Sequence, residues 1–361
     1  MKERNAGLDL CRILAMLGIV VLHIIGQGGA QRIVNGEYTV RYWLVEILYI
    51  CALCSVDVFA LMSGYFGISS KKATIYRALE LIATVLFFSA LATACFAVLE
   101  PEKILNWRAL LKGIVPAMAD RYWYITCYLP ILFLQPYLNK MLLAISEKQH
   151  RALCMMSVGL FSVLPTLLTV DFFRFKQGYS FVWLLCLYVL GAYLKRSKID
   201  TAQLRKRYLL LAFVGITGVL LGGNFFVKTV LGANYRYFVA YTSPLTLGMS
   251  ICAFLLLKNL HIARGTRLLQ KLGMVAFDVY IIHSHIFVFD MLLAGAFAWV
   301  NNLAIWWTLP LVLAGAIGIY AVCAVLGLAR SALFSVTRCN VLLSKIAQKA
   351  DRLFYGDFSN S

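Results

Sequence analysis

Apolar runs of about twenty residues, each long enough for a helix to cross the hydrocarbon core of a bilayer, recur along nearly the whole chain. GLDLCRILAMLGIVVLHIIG is the first, and IWWTLPLVLAGAIGIYAVCAVLGL the last. One water-soluble core cannot hide so many apolar faces, and 61% of the 361 residues are hydrophobic against 14% charged. In lipid the backbone must satisfy its own hydrogen bonds, so the expected fold is an all-α polytopic membrane protein. Run length and breakers predict about ten transmembrane helices, near 7–29, 42–66, 74–99, 122–144, 152–170, 179–194, 208–226, 241–258, 274–297 and 305–328. The opening MKERNAGLDL does not read as a cleavable leader. Its apolar core is too long, and the GQGGAQR that follows offers no small-residue cleavage site.

The net charge of +18 would suit nucleic acid, but its placement suits a membrane instead. With the N-terminus in the cytoplasm, 23 basic residues fall in inner segments and ten in outer loops, Arg12 completing the 34. That bias predicts both termini inside and an even number of crossings. Trp306 and Trp307 suit an interfacial belt, and Gly218 and Gly222 form a G-x-x-x-G of the kind that brings helices together. Segment 100–121 is expected to lie along the outer interface as an amphipathic helix. Residues 1–330 form one transmembrane domain, and 331–361 a basic cytoplasmic tail that can rest on the inner leaflet. The ten cysteines fall mostly inside apolar spans, which argues against a disulfide framework; Cys51 and Cys54 read as small buried residues.

Ionisable groups inside spans are costly and usually face a bundle interior or a wet cavity. The first span carries Asp9, Arg12 and His23. Eleven helical steps bring Arg12 and His23 back to within about 20° of each other, about 16 Å apart along the axis. Asp9 lies within about 60° of both. One polar stripe therefore runs up an otherwise greasy helix. A bland alternative has Arg12 snorkelling to the interface beside Asp9, and His23 bonding a backbone carbonyl.

The second span adds Glu46 and Asp57, again eleven apart, with Asp57 placed to counter Arg12. Ser63-Gly64-Tyr65 follows, where an unwound turn at Gly64 would offer backbone N–H groups to an anion. In the ninth span, read as one helix, His283 and His285 point about 160° apart, so only one is expected to face a shared cavity. No residue set has metal-ligand spacing, and no metal is expected.

The order of blocks along the chain resembles the acyltransferase-3 family of bacterial integral membrane acyltransferases. The blocks are GLDLCRILAMLGIVVLH with its R-x10-H, DVFALMSGYFG, and RYWYITCYLPILFLQPYLNK with Trp123 and Tyr124. GYSFVWLLCLYVLGAYLK, YTSPLTLGMS and LGMVAFDVYIIHSH complete the series, and the last sets His283 at the family's late histidine. The resemblance covers about residues 4–328. It implies ten membrane helices in a bacterial cytoplasmic (inner) membrane. It also implies transfer of an acyl group, usually acetyl from acetyl-CoA at the cytoplasmic face, to a hydroxyl of a glycan or related envelope acceptor. On that basis Arg12 and His23 are the motif pair, with Asp57 and His283 orienting or tuning them. Arg12, with Ser63, Gly64 and Tyr65, would hold the acyl-CoA. Glu46, Trp123, Tyr124 and His285 are candidates for acceptor binding.

Some relatives append an extracytoplasmic domain after the last span; none is evident here, which leaves open a homodimer or a separate extracytoplasmic partner. Two other classes share some features: a secondary transporter and a non-catalytic membrane sensor. No inverted repeat favours the first. Trp107, Tyr235 and Tyr237 could stack on sugar rings, although interfacial aromatics need no ligand to explain them.

Overall fold

The structure, a computed structural model, describes residues 5–31, 38–70, 74–115, 122–197, 205–232 and 238–355. Tyr235, Tyr237 and residues 356–361 lie outside that set. Every regular element described is helical. The chain runs through α1 (Ala6–Ile25), α2 (Val40–Gly67), α3 (Thr74–Leu99), α4 (Pro101–Ile104), α5 (Trp107–Ile114), α6 (Trp123–Ala144), α7 (Glu147–Val158) and α8 (Leu164–Leu168). It continues through α9 (Phe181–Arg196), α10 (Lys206–Thr229), α11 (Pro244–Lys258), α12 (Thr266–Met274), α13 (Ala276–His283), α14 (Thr308–Val336) and α15 (Cys339–Tyr355).

Among the described residues, six helical stretches are long and apolar enough to cross a membrane: α1, α2, α3, α7 with α8, α10, and Ile305–Val336. A seventh is the bent pair Ala276–His283 and Val288–Asn302, angled by 73°. That is fewer than ten. The other three expected spans are helices that fall short for identifiable reasons. α9 has 16 residues and α11 has 15, rises of about 24 and 22 Å. α6 carries Pro130 and Pro136 inside it, and its polar Gln135 is buried, donating 2.8 Å to the Gly67 carbonyl.

α1 sits in the middle. Asn5 caps it by accepting from the Leu8 N–H, Asp9 complements its positive end, and it packs on α2, α11, α12, α13 and α14. α2 packs most extensively on α9. The two meet at a pair of glycines: Gly64 faces the Tyr188 backbone, and Gly191 faces the Leu61 carbonyl. The expected unwound turn at Gly64 is therefore absent. α2 stays helical through Gly67, and Gly64 serves close helix packing. Gly218 and Gly222 do the opposite, with nothing within 4 Å of where a Cβ would stand. Their helix, α10, exposes Leu211, Val214, Val219, Phe225 and Phe226.

The ninth span is not one helix. The His285 Nδ1 lies 3.4 Å from the Phe287 nitrogen and accepts its N–H. The chain breaks after His283 and resumes as a π-helical turn, Val288–Leu293. The described part of segment 100–121 forms α4 and α5, the latter exposing Trp107, Leu111 and Ile114. Residue 330 falls within α14, not at a boundary, and α15 folds back against α3. All ten cysteines are free thiols.

Candidate active site

His23 occupies the last turn of α1, and the chain beyond it is stapled to the broken ninth segment. The Gly295 N–H donates 2.9 Å to the Gln27 carbonyl, and the Phe297 N–H donates 2.9 Å to the Gly28 carbonyl. These backbone bonds bring two histidines 260 positions apart into register. His23 Nδ1 lies 2.9 Å from His283 Nε2, and the His23 ring meets Phe289 edge-on, centroids 5.1 Å apart.

The protons in this pair are set by their neighbours. His283 Nδ1 faces the Val279 carbonyl at 2.5 Å, and a carbonyl oxygen only accepts, so that nitrogen carries a proton. In the neutral ring, Nε2 of His283 is then an acceptor, and the proton between the rings belongs to His23 Nδ1. His23 Nε2 is left with its lone pair. Ser284 Oγ lies 3.4 Å from His283 Nε2, and the Tyr122 hydroxyl donates 2.5 Å to the Ile281 carbonyl, bracing the last turn of α13.

His23 lines a central chamber of about 400 Å³ with Phe59, Trp123, Tyr124, Phe277, Tyr280 and Ser284 among its walls. Toward the start of α1 a second chamber, about 250 Å³, holds Arg12, Ser63, Phe66, Arg77 and Tyr128. The two share Phe59, Tyr124 and Phe277, so these aromatic rings wall both. Arg12 is partly exposed. It pairs with Asp9 at 3.1 Å and sits 4.4 Å above the Phe66 ring.

Arg77 is the residue that the sequence did not single out. Its Nη2 donates 2.8 Å to Gln135 Oε1, whereas its Nε is buried with no hydrogen-bond partner. Two guanidiniums on the wall of one chamber, one of them with a buried donor to spare, make a fitting cradle for a phosphorylated ligand. The only signal in the sequence was a lone arginine at the start of a span, where snorkelling is the ordinary expectation.

Asp57 is fully buried but is not set against Arg12. Its Oδ1 accepts from the Trp183 indole N–H at 3.1 Å, and its Oδ2 is buried without a partner. Ser63 Oγ donates to the Ala60 carbonyl at 2.6 Å, while the Tyr65 ring lies under Lys195 and Lys258, away from Arg12's chamber. His285 turns from the central chamber: its Nε2 is 3.0 Å from the Gly113 carbonyl, which it bonds while its Nδ1 accepts from Phe287. Trp123 and Tyr124 both line the central chamber. Glu46 lies in a further chamber at the far end of α2. Among the described residues, no three His, Cys, Asp or Glu side chains gather at one point.

The site as assembled is an imidazole pair with one free lone pair, set in an aromatic chamber next to an arginine-lined one. It can take a proton from a hydroxyl beside a bound, phosphorylated donor. The family profile described as an acyltransferase domain, of the acyltransferase-3 type, matches residues 5–328. The chain belongs to that family of membrane acyltransferases. No curated protein and no solved structure matches it.

Proposed function

We propose that this protein is a membrane O-acyltransferase that moves an acetyl group from cytoplasmic acetyl-CoA to a hydroxyl of a glycan or lipid-linked glycan of the bacterial envelope. In this reading the chain makes ten crossings of the cytoplasmic membrane with both termini inside. Helices α6, α9 and α11 complete the bundle, and α15 lies on the inner leaflet.

Arg12 and Arg77 hold the phosphates of the donor. Its pantetheine arm passes between Phe59, Tyr124 and Phe277, and the thioester arrives beside His23. His23 Nε2 takes the proton of the acceptor hydroxyl as its oxygen attacks the thioester carbonyl. The carbon–sulfur bond then breaks, the proton passes from His23 to the departing thiolate, and the products are the O-acetyl ester and CoA. During the proton's stay on His23 the imidazolium donates from Nδ1 to His283, which in turn donates to the Val279 carbonyl. Aromatic walls keep water from competing for the thioester.

The observation that carries this reading is the hydrogen-bond chain Val279–His283–His23, because it leaves the free lone pair on Nε2 of a histidine that lines the chamber. The test is labelled acetyl-CoA supplied to purified protein in liposomes containing extracted envelope glycan. Wild type transfers label, and His23→Ala, expressed at the same level, does not. Undiminished transfer by His23→Ala ends the assignment. Translocation alone would indicate a transporter, and saturable binding alone a sensor.

A further inference from the structure

A third chamber, about 380 Å³, abuts the central one on the side away from Arg12, and the two share Tyr49, Tyr179 and Tyr241. On its wall stands Glu46, buried, its carboxylate held from separate parts of the chain. Oε2 accepts from Gln31 at 2.7 Å, and Oε1 accepts from the Asn224 amide and from Lys228, the latter at 3.4 Å. Lys228 also bonds the Tyr42 hydroxyl and lies against the Tyr38 and Trp43 rings.

An ion pair removed from water gains little net stability, and apolar residues would pack α2 against α10 as well. Here, among the described residues, nothing packs over the pair; it borders a volume with Gln177 and five tyrosines on its other walls. That surface has flat rings on which the C–H face of a sugar can stack, next to a carboxylate that accepts and amides and an ammonium that donate. Among the described residues that line the chamber, one full negative and one full positive charge cancel. A uronate or phosphate would gain from Lys228 and lose to Glu46, whereas an uncharged ring carries no net charge for either to attract or repel and meets them only as hydrogen-bond partners.

Resting on the acyltransferase reading, we propose that the Glu46–Asn224–Lys228 chamber is the acceptor site, and that its cancelled charge selects an uncharged polyhydroxylated ring over an anionic one. The ring lies on the tyrosines, with one hydroxyl directed between Tyr49, Tyr179 and Tyr241 to His23. Lys228 and Asn224 are thereby specificity-determining residues.

Full-length protein in nanodiscs, titrated calorimetrically with 4-nitrophenyl glucoside and 4-nitrophenyl glucuronide, tests this without any acyl donor. Wild type binds the glucoside about tenfold more tightly than the glucuronide. Glu46→Gln keeps the hydrogen-bonding reach but leaves Lys228 uncompensated, and shifts that ratio toward the glucuronide by about tenfold or more. Tyr179→Leu, at an exposed position, weakens both glycosides. His23→Ala binds the glucoside as wild type does while losing transfer. An unchanged charge preference in folded Glu46→Gln, or a wild type that binds neither glycoside, overturns the acceptor site even if acetyl transfer to envelope glycan is found. Glucoside binding with no transfer by wild type would sink the enzyme reading and leave the site standing.

Discussion

The two ends of the polar stripe on α1 are built differently. Arg12 takes its ion-pair partner from one turn away on its own helix, rests on the Phe66 ring, and keeps 26% of its side chain exposed. His23, eleven residues on, is held by side chains from the far end of the sequence, His283 and Phe289. A group that grips a flexible phosphate chain works with latitude; a group that must aim one lone pair does not. The largest expected effect follows from breaking the rigid end. His283→Ala frees the His23 tautomer, and kcat for acetyl transfer falls about 10²- to 10³-fold, within the usual range for proton-transfer catalysis. KM for acetyl-CoA stays within a few-fold. His283→Gln, whose amide oxygen can accept the His23 Nδ1 proton, recovers part of the loss. Steady-state kinetics in liposomes that show wild-type kcat for His283→Ala would remove this histidine from the mechanism.

The looser end responds in the other parameter. Arg12→Ala and Arg77→Ala each raise KM for acetyl-CoA about 10- to 100-fold, the worth of one or two charge-assisted hydrogen bonds, with a smaller change in kcat. The double substitution costs less than the product of the singles if both arginines meet one phosphorylated group. Unaltered KM in both variants would mean that Arg12 merely snorkels beside Asp9.

Much of this stripe was legible in the sequence, because α-helical periodicity alone places Asp9, Arg12 and His23 on one face. The helical class was legible too, since run length against bilayer thickness leaves few options. What periodicity could not supply was anything set by contact across the chain. The break after His283 comes with His285 accepting from the Phe287 N–H, a contact that no hydropathy window detects. Arg77 gains meaning only when α3 sets it opposite Arg12 across a chamber. Asp57 was set against Arg12 on spacing, yet the Trp183 indole claims its carboxylate from another helix. The number of crossings is a similar case: run length marks 179–194 and 241–258 as spans, yet the helices there, α9 and α11, have only 16 and 15 residues.

The smallest expected effects come from glycines that look alike as letters. Gly191 and Gly64 sit where α2 and α9 touch, so a methyl at Gly191 meets the Leu61 carbonyl and the helices must part. Overpacking of that kind costs about 1–3 kcal/mol. Gly218 belongs to the G-x-x-x-G that promised the same close approach, but open space surrounds it on α10. Alanine there loses no contact and gains helix propensity, so Gly218→Ala should leave stability unchanged or raise it by up to about 1 kcal/mol. Thermal unfolding of the two variants in one detergent makes the comparison, with a clear drop in Tm for Gly191→Ala and none for Gly218→Ala. A drop for Gly218→Ala that deepens on dilution would show instead that this face of α10 is covered by a second copy of the chain, since only an association weakened by the substitution makes stability depend on protein concentration.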